Sequence, residues 1–206
     1  AITTLNNLAA QDNTEYEREC IAATIRNIAM SNEGETALIE NGAITTLNHL
    51  ANQNNTEEGR LYMAWTIHKI AQSFVGVDAL IANGAITTLN HLANQDNTEG
   101  GRSNIAGAIF KISTRAAGIT ALIANDAITT LNNLANQNNT EEGRLYMAWT
   151  IHNIVQSFGG VDDIIANRAI TTLNHLAGQA NTKYGREYIA AAIRNIAMSN
   201  EGIAAL

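Results

Sequence analysis

The chain has 206 residues, 46% of them hydrophobic and 15% charged, with no proline and a single cysteine. Its net charge of −7 excludes the basic footprint that a general nucleic-acid binder or a polybasic membrane anchor requires. No apolar run approaches the ~20 residues of a membrane span, no basic-then-apolar leader opens the sequence, and the lone Cys20 cannot close an internal disulfide, which predicts an intracellular protein of cytoplasm or nucleus.

In chain order the first element is one that returns. The string AITTLN begins at Ala1 and recurs at Ala43, Ala85, Ala127 and Ala169, in steps of 42 residues. Self-similarity at a fixed period of this length is the signature of a repeat architecture. The second and fourth copies share NQNNTEEGRLYMAWTIH (52–68 and 136–152), the first and fifth share IRNIAMSNEG (25–34 and 193–202), and the third stands alone. The order is therefore A-B-C-B-A, with no linker. This predicts one repeat domain over 1–206, with 203–206 beginning a further repeat and no polar cap at either end.

Each unit reads as three helices. The segment AITTLNHLAN (43–52) is one. A longer one runs over about 57–72, with Asn55 and Thr56 suited to its N-cap and Glu57 and Glu58 in its first turn. A short one, VDALIAN (77–83), leads into Asn83–Gly84, residue types that tolerate positive φ between helices. At ~100° per residue, Met63, Ala64, Ile67, Ile70 and Ala71 share one face of the long helix and predict the core. Their counterparts are Ile21, Ala22, Ile25, Ile28 and Ala29 in the first unit, and Ile189, Ala190, Ile193, Ile196 and Ala197 in the last. Roughly opposite lie Tyr62, Trp65, Lys69 and Gln72, with His68 at the edge.

Two polar positions are identical in all five copies. One is Asn6, Asn48, Asn90, Asn132 and Asn174; the other is Arg18, Arg60, Arg102, Arg144 and Arg186. Both project towards apolar neighbours. A buried polar group left unsatisfied costs roughly 1–3 kcal/mol, so both ladders are expected to be paired, locking each unit to its neighbour; the simpler alternative makes Arg60 a solvated first-turn residue that pairs weakly with Glu57.

The 42-residue unit, the Gly42–Ala43–Ile44 start and the Trp149-x-x-x-Asn153–Ile154–Val155 helix resemble the armadillo repeat family along the whole chain. The sequence departs from the family pattern where Thr45 stands for an early proline. The Trp–Asn pair is complete only at Trp149 and Asn153, and Asn48 replaces an apolar residue. The resemblance implies an all-α fold, a right-handed α-solenoid superhelix of five three-helix repeats whose third helices line a concave groove for an extended peptide. Carried over, the first two rungs are Cys20, Ala23, Arg26 and Asn27, then Tyr62, Trp65, His68 and Lys69. The third and fourth are Asn104, Gly107, Phe110 and Lys111, then Tyr146, Trp149, His152 and Asn153. The fifth is Tyr188, Ala191, Arg194 and Asn195.

Composition supports binding independently. Aromatics make up only 5% of the chain, yet both tryptophans and three of five tyrosines fall on this one stripe. Such rings either contact a ligand or fill gaps between neighbouring helices. The basic Arg26, Lys69, Lys111 and Arg194 on the stripe predict a neutral or acidic ligand. No catalytic or metal-ligating pattern occurs: His49, His68, His91, His152 and His175 are dispersed, and no cofactor is implied. The expected function is a protein-binding scaffold without enzymatic activity. The competing readings are an array that self-associates head to tail through its ends, and an engineered array without a native role.

Overall fold

A computed structural model describes residues 1–157 and 163–206. The described residues form fourteen helices and no strand. The helices recur in one order, shown by the second unit: α4 (Ala43–Ala51), α5 (Glu57–Ile70) and α6 (Phe74–Ala82). The first unit supplies α1 (Ile2–Ala9), α2 (Glu15–Ile28) and α3 (Asn32–Glu40), and the third α7 (Ala85–Ala93), α8 (Glu99–Ser113) and α9 (Ala116–Ala124). Then follow α10 (Ala127–Ala135), α11 (Glu141–Ser157), α12 (Asp163–Ala177), α13 (Lys183–Ile196) and α14 (Asn200–Ala205).

The helix ends follow from local chemistry. Thr56 caps α5, its hydroxyl accepting from Gly59 N at 3.0 Å. Asn55, expected to share that cap, instead braces the preceding loop, donating to Leu50 O at 2.8 Å and Gln53 O at 2.7 Å. The short helix begins at Phe74 rather than Val77, because Ser73 caps it by accepting from Gly76 N at 3.0 Å. Likewise α14 starts at Asn200 behind Ser199, ahead of the expected position 203. The glycine of this Ser-x-x-Gly signature is sterically required: a Cβ on Gly76 would lie 1.8 Å from Ile70 O.

Gly42, Gly84 and Asp126 turn the chain at φ of 73°, 72° and 55°. These left-handed residues separate the short helix from the one that follows. Arg168 stands at the next such position and takes no such turn: α12 runs through it unbroken. Its guanidinium pairs with Asp126, the junction residue one unit earlier. Gly159 and Gly160 lie outside the described residues.

Two rows of helices stack along the chain. The long helices α2, α5, α8, α11 and α13 each pack on the next, as do α1, α4, α7, α10 and α12. Between them runs the core. Met63, Ala64, Ile67, Ile70 and Ala71 are all buried, as the periodicity predicts, with Leu47, Leu50 and Leu80. In the last long helix the pattern weakens. Ile189 and Ile196 are buried, but Ala190 and Ala197 are exposed, and Ala192 is buried in their stead.

The two polar ladders run between units. Asn6, Asn48 and Asn90 donate from Nδ2 to the backbone oxygens of Asn41, Asn83 and Asn125, at 2.6–2.7 Å. From the next unit, the hydroxyls of Thr46, Thr88 and Thr130 donate to the same asparagines' Oδ1, at 2.6–2.7 Å. Where the helix runs on through Arg168, Thr172 donates to Arg168 O instead, and Asn132 Oδ1 is buried without a partner. Asn174 is exposed. Each of Arg18, Arg60 and Arg102 bridges two loop carbonyls, one in its own unit and one in the next. The pairs are Asn13 and Asn54, Asn55 and Asp96, and Asn97 and Asn138. Arg144 and Arg186 hold the carbonyls of Asn139 and Asn181 in their own units.

Candidate functional site

The stripe singled out by the sequence lies on consecutive long helices, so its residues form one continuous strip. Tyr62, Trp65, His68, Lys69, Asn104, Lys111, Tyr146, Trp149, His152, Asn153, Tyr188 and Asn195 are half-buried on it; Asn27 and Arg194 are exposed and Arg26 half-buried. Cys20, also on the strip, is exposed.

The rings do not stand apart as separate ligand pockets; they pack one another across units. Phe110, expected on the open surface, is only 5% exposed. It lies between Tyr146 (centroids 5.3 Å apart, planes at 11°) and Trp149 (4.4 Å, 36°). Trp149 in turn stacks on Tyr188 at 4.5 Å. The apolar gain of covering ring faces accounts for the burial of Phe110: stacked aromatic pairs are favoured beyond the area they bury. Trp65 is treated differently, with the Arg26 guanidinium 4.8 Å from its ring. Lys111 sits 5.5 Å from the Phe110 ring.

The third unit is the most enclosed part of the strip. Gly107 is buried, and a Cβ there would approach His68 Cε1 to 2.6 Å. His68 reaches on to the Tyr146 ring, two units away in the chain, in a T-shaped contact at 5.8 Å. Its Nδ1 is 3.1 Å from Asn104 Oδ1 and its Nε2 is buried without a partner. Burial is the main cause that lowers the proton affinity of both His68 and His152; Lys111 and Arg194 respectively add to it. The Tyr146 hydroxyl is pushed up to about 12, first by burial and then by Glu142, to which it donates at 2.6 Å.

The asparagines expected to hold a ligand backbone divide. Asn153 donates to Ser113 Oγ at 3.0 Å and so is engaged within the protein. Asn195 Nδ2 is buried without a partner, and Asn27 Oδ1 accepts from Arg26 at 3.1 Å. Lys69 pairs with Glu35 at 3.8 Å across units, whereas Arg26 and Lys111 have no carboxylate partner among the described residues. Glu35 is a buried carboxylate that sequence reasoning missed; it also accepts from Ser73 Oγ at 2.7 Å. Its signal was one of contrast: Val77, Ile119, Val161 and Ile203 fill that place in the other units, so a lone carboxylate stands where every other copy is apolar. Among the described residues no group of three or more His, Cys, Asp or Glu could hold a metal, and no helix is long and apolar enough to cross a membrane.

No protein-family model matches the sequence, and no curated protein matches it. Solved structures do. A designed armadillo repeat protein in complex with the peptide (KR)4 superposes with a TM-score of 0.72 at 25% identity, over 100% of this chain and 86% of that one. Computationally designed armadillo repeat proteins for modular peptide recognition give a TM-score of 0.74 at 26% identity, covering 95% of this chain and 82% of that one. A further engineered protein gives 0.73 at 20% identity, over 97% and 82%. With stacked three-helix units and near-complete coverage, the chain has an armadillo-like repeat fold.

Proposed function

We propose that the whole chain acts as one peptide-binding scaffold, holding an extended neutral or acidic segment along the strip of long helices. Two of its structural neighbours are described as a peptide complex and as proteins for modular peptide recognition, which supports the class of function. The contact of His68 with Tyr146, from units two apart, supports reading the strip as the inner side of a curve. No step of covalent chemistry is assigned to any side chain.

One observation carries the choice of ligand charge. Arg26 and Lys111 stand on the strip beside ring faces, with no carboxylate partner among the described residues to neutralise them. A cation held against a ring is partly desolvated, and a ligand carboxylate entering there meets a stronger field than in water. A lysine- or arginine-rich ligand such as the (KR)4 peptide of the designed neighbour would meet like charge.

The test is a titration of (Asp-Glu)4, (Lys-Arg)4 and a serine–glycine peptide, followed by tryptophan fluorescence at low and moderate salt. The acidic peptide should bind best, weaken with salt, and weaken at least tenfold in Arg26→Glu/Lys111→Glu. Preferred binding of (Lys-Arg)4 would overturn the reading.

A further inference from the structure

Trp65 and Trp149 occupy the same position two 42-residue steps apart, yet among the described residues only Trp149 has an aromatic ring from the unit on each side. Trp149 lies between Phe110 of the preceding unit, at 4.4 Å, and Tyr188 of the following unit, at 4.5 Å. The corresponding neighbours of Trp65 are Arg26 and Asn104. Arg26 takes the place of Phe110, its guanidinium 4.8 Å from the ring. Asn104 takes the place of Tyr188, and its side chain is spent elsewhere, on His68 Nδ1 at 3.1 Å and Gly100 O at 3.0 Å. Among the described residues no ring packs on Trp65.

We propose that the face of Trp65 turned towards Asn104 is a slot for an aromatic side chain of the bound peptide, flanked in that peptide by acidic residues. The proposal rests on the strip being a peptide site and adds what the site selects. Tyr188 is the protein's own image of the occupant. It stacks on Trp149 at 15° with the His152 ring beside it at 5.5 Å, and Trp65 has His68 at the equivalent place. A phenol ring in one copy and a carboxamide in the other differ by a ring's volume.

Charge selects the occupant further. The Arg26 cation already holds one face of the indole, so a neutral ring suits the other better than a second cation. Lys111, without a carboxylate partner among the described residues, favours acidic residues beside that ring.

The experiment compares Ac-Asp-Glu-Tyr-Glu-Asp-amide with its Tyr→Ala counterpart against the wild-type chain, Trp65→Ala, Asn104→Tyr and Lys111→Glu. Asn104→Tyr should fold, because the fifth unit already carries tyrosine there and leaves His152 Nδ1 without a partner. The tyrosine peptide should bind at least tenfold tighter than the alanine peptide, and both Trp65→Ala and Asn104→Tyr should erase that advantage. A tyrosine preference untouched by Asn104→Tyr would place the ring elsewhere and overturn the slot. Equal binding of both peptides, lost in Lys111→Glu, would overturn the slot and leave the peptide site standing. No binding of either peptide would overturn both.

Discussion

Thr88 donates its hydroxyl to Asn48 Oδ1 at 2.6 Å, joining neighbouring units across 40 residues of chain. The same asparagine donates to Asn83 O at 2.6 Å, so one side chain ties the end of its own unit to the first helix of the next. Asn48→Ala should leave Thr88 and the Asn83 carbonyl short of a partner and cost about 1–3 kcal/mol. Asn48→Asp keeps the acceptor for Thr88 but sets a carboxylate oxygen against a carbonyl, and should be no better than alanine. Asn174→Ala, at an exposed copy of the position, should stay within about 0.5 kcal/mol of wild type. Urea denaturation of the three variants checks this; equal losses at Asn48 and Asn174 would remove the inter-unit role.

The guanidinium ladder should be more sensitive to shape than to charge. Arg102 is buried, spans the carbonyls of Asn97 and Asn138, and reaches Asn138 O with Nε at 2.9 Å as well. A lysine ammonium cannot satisfy two separated carbonyls with the same fixed fork. Arg102→Lys should therefore lose about 1.5–3 kcal/mol, the range for hydrogen bonds to a charged group. For a chain of this size that is a fall in Tm of roughly 3–12 °C. Arg186→Lys, which gives up a single carbonyl contact at 2.6 Å, should lose less. Equal Tm values for Arg102→Lys and wild type would contradict the bridge.

How far the molecule was legible from sequence follows from which signals are local. The 42-residue period and the Met63–Ala71 face were readable, because helical periodicity and burial are set by spacing along one segment. The Ser73–Gly76 cap was present in the sequence and overlooked; its mark is a serine three residues before a glycine in every described unit except the third, where Arg115 precedes Gly118. Phe110 could not be placed from its own helix, since its burial is decided by Tyr146 and Trp149 of the following unit. The straightening of the chain through Arg168 was half legible. Asp126 shows that a non-glycine residue can take the left-handed turn, so the loss of glycine alone did not announce a continuous helix.

Gly107 shows how closely the third unit is fitted. Its Cβ, if present, would come within 2.6–3.0 Å of three atoms of the His68 ring. Gly107→Ala gains intrinsic helix propensity of about 1 kcal/mol, yet crowding a packed interior typically costs 1–3 kcal/mol, so the variant should be neutral to about 2 kcal/mol less stable. Adding His68→Ala removes the obstacle. Relative to His68→Ala alone, Gly107→Ala should then be stabilising. The double-mutant cycle reads the sign directly, and additive effects would mean that the two residues do not meet.

The imidazoles should make stability depend on pH in one direction. His68 has its proton affinity lowered chiefly by burial and also by Lys111, against smaller opposing effects from Asn104 and Glu142; His152 is lowered by burial and by Arg194. The unfolded chain, with histidines near the ordinary value of about 6.5, therefore binds protons before the folded chain does. Stability contributed by these groups is complete above that pH and is lost as pH falls below it towards the lower native values. Glu17, lowered by its capping bonds to Thr14, acts in the same direction but only in the carboxylate range. Between pH 7.5 and 5.5 the urea midpoint should thus fall, and the fall should be largely absent in His68→Gln/His152→Gln. An unchanged slope in the double variant would assign the effect to other groups and show that protonated imidazoles are accommodated in the folded strip.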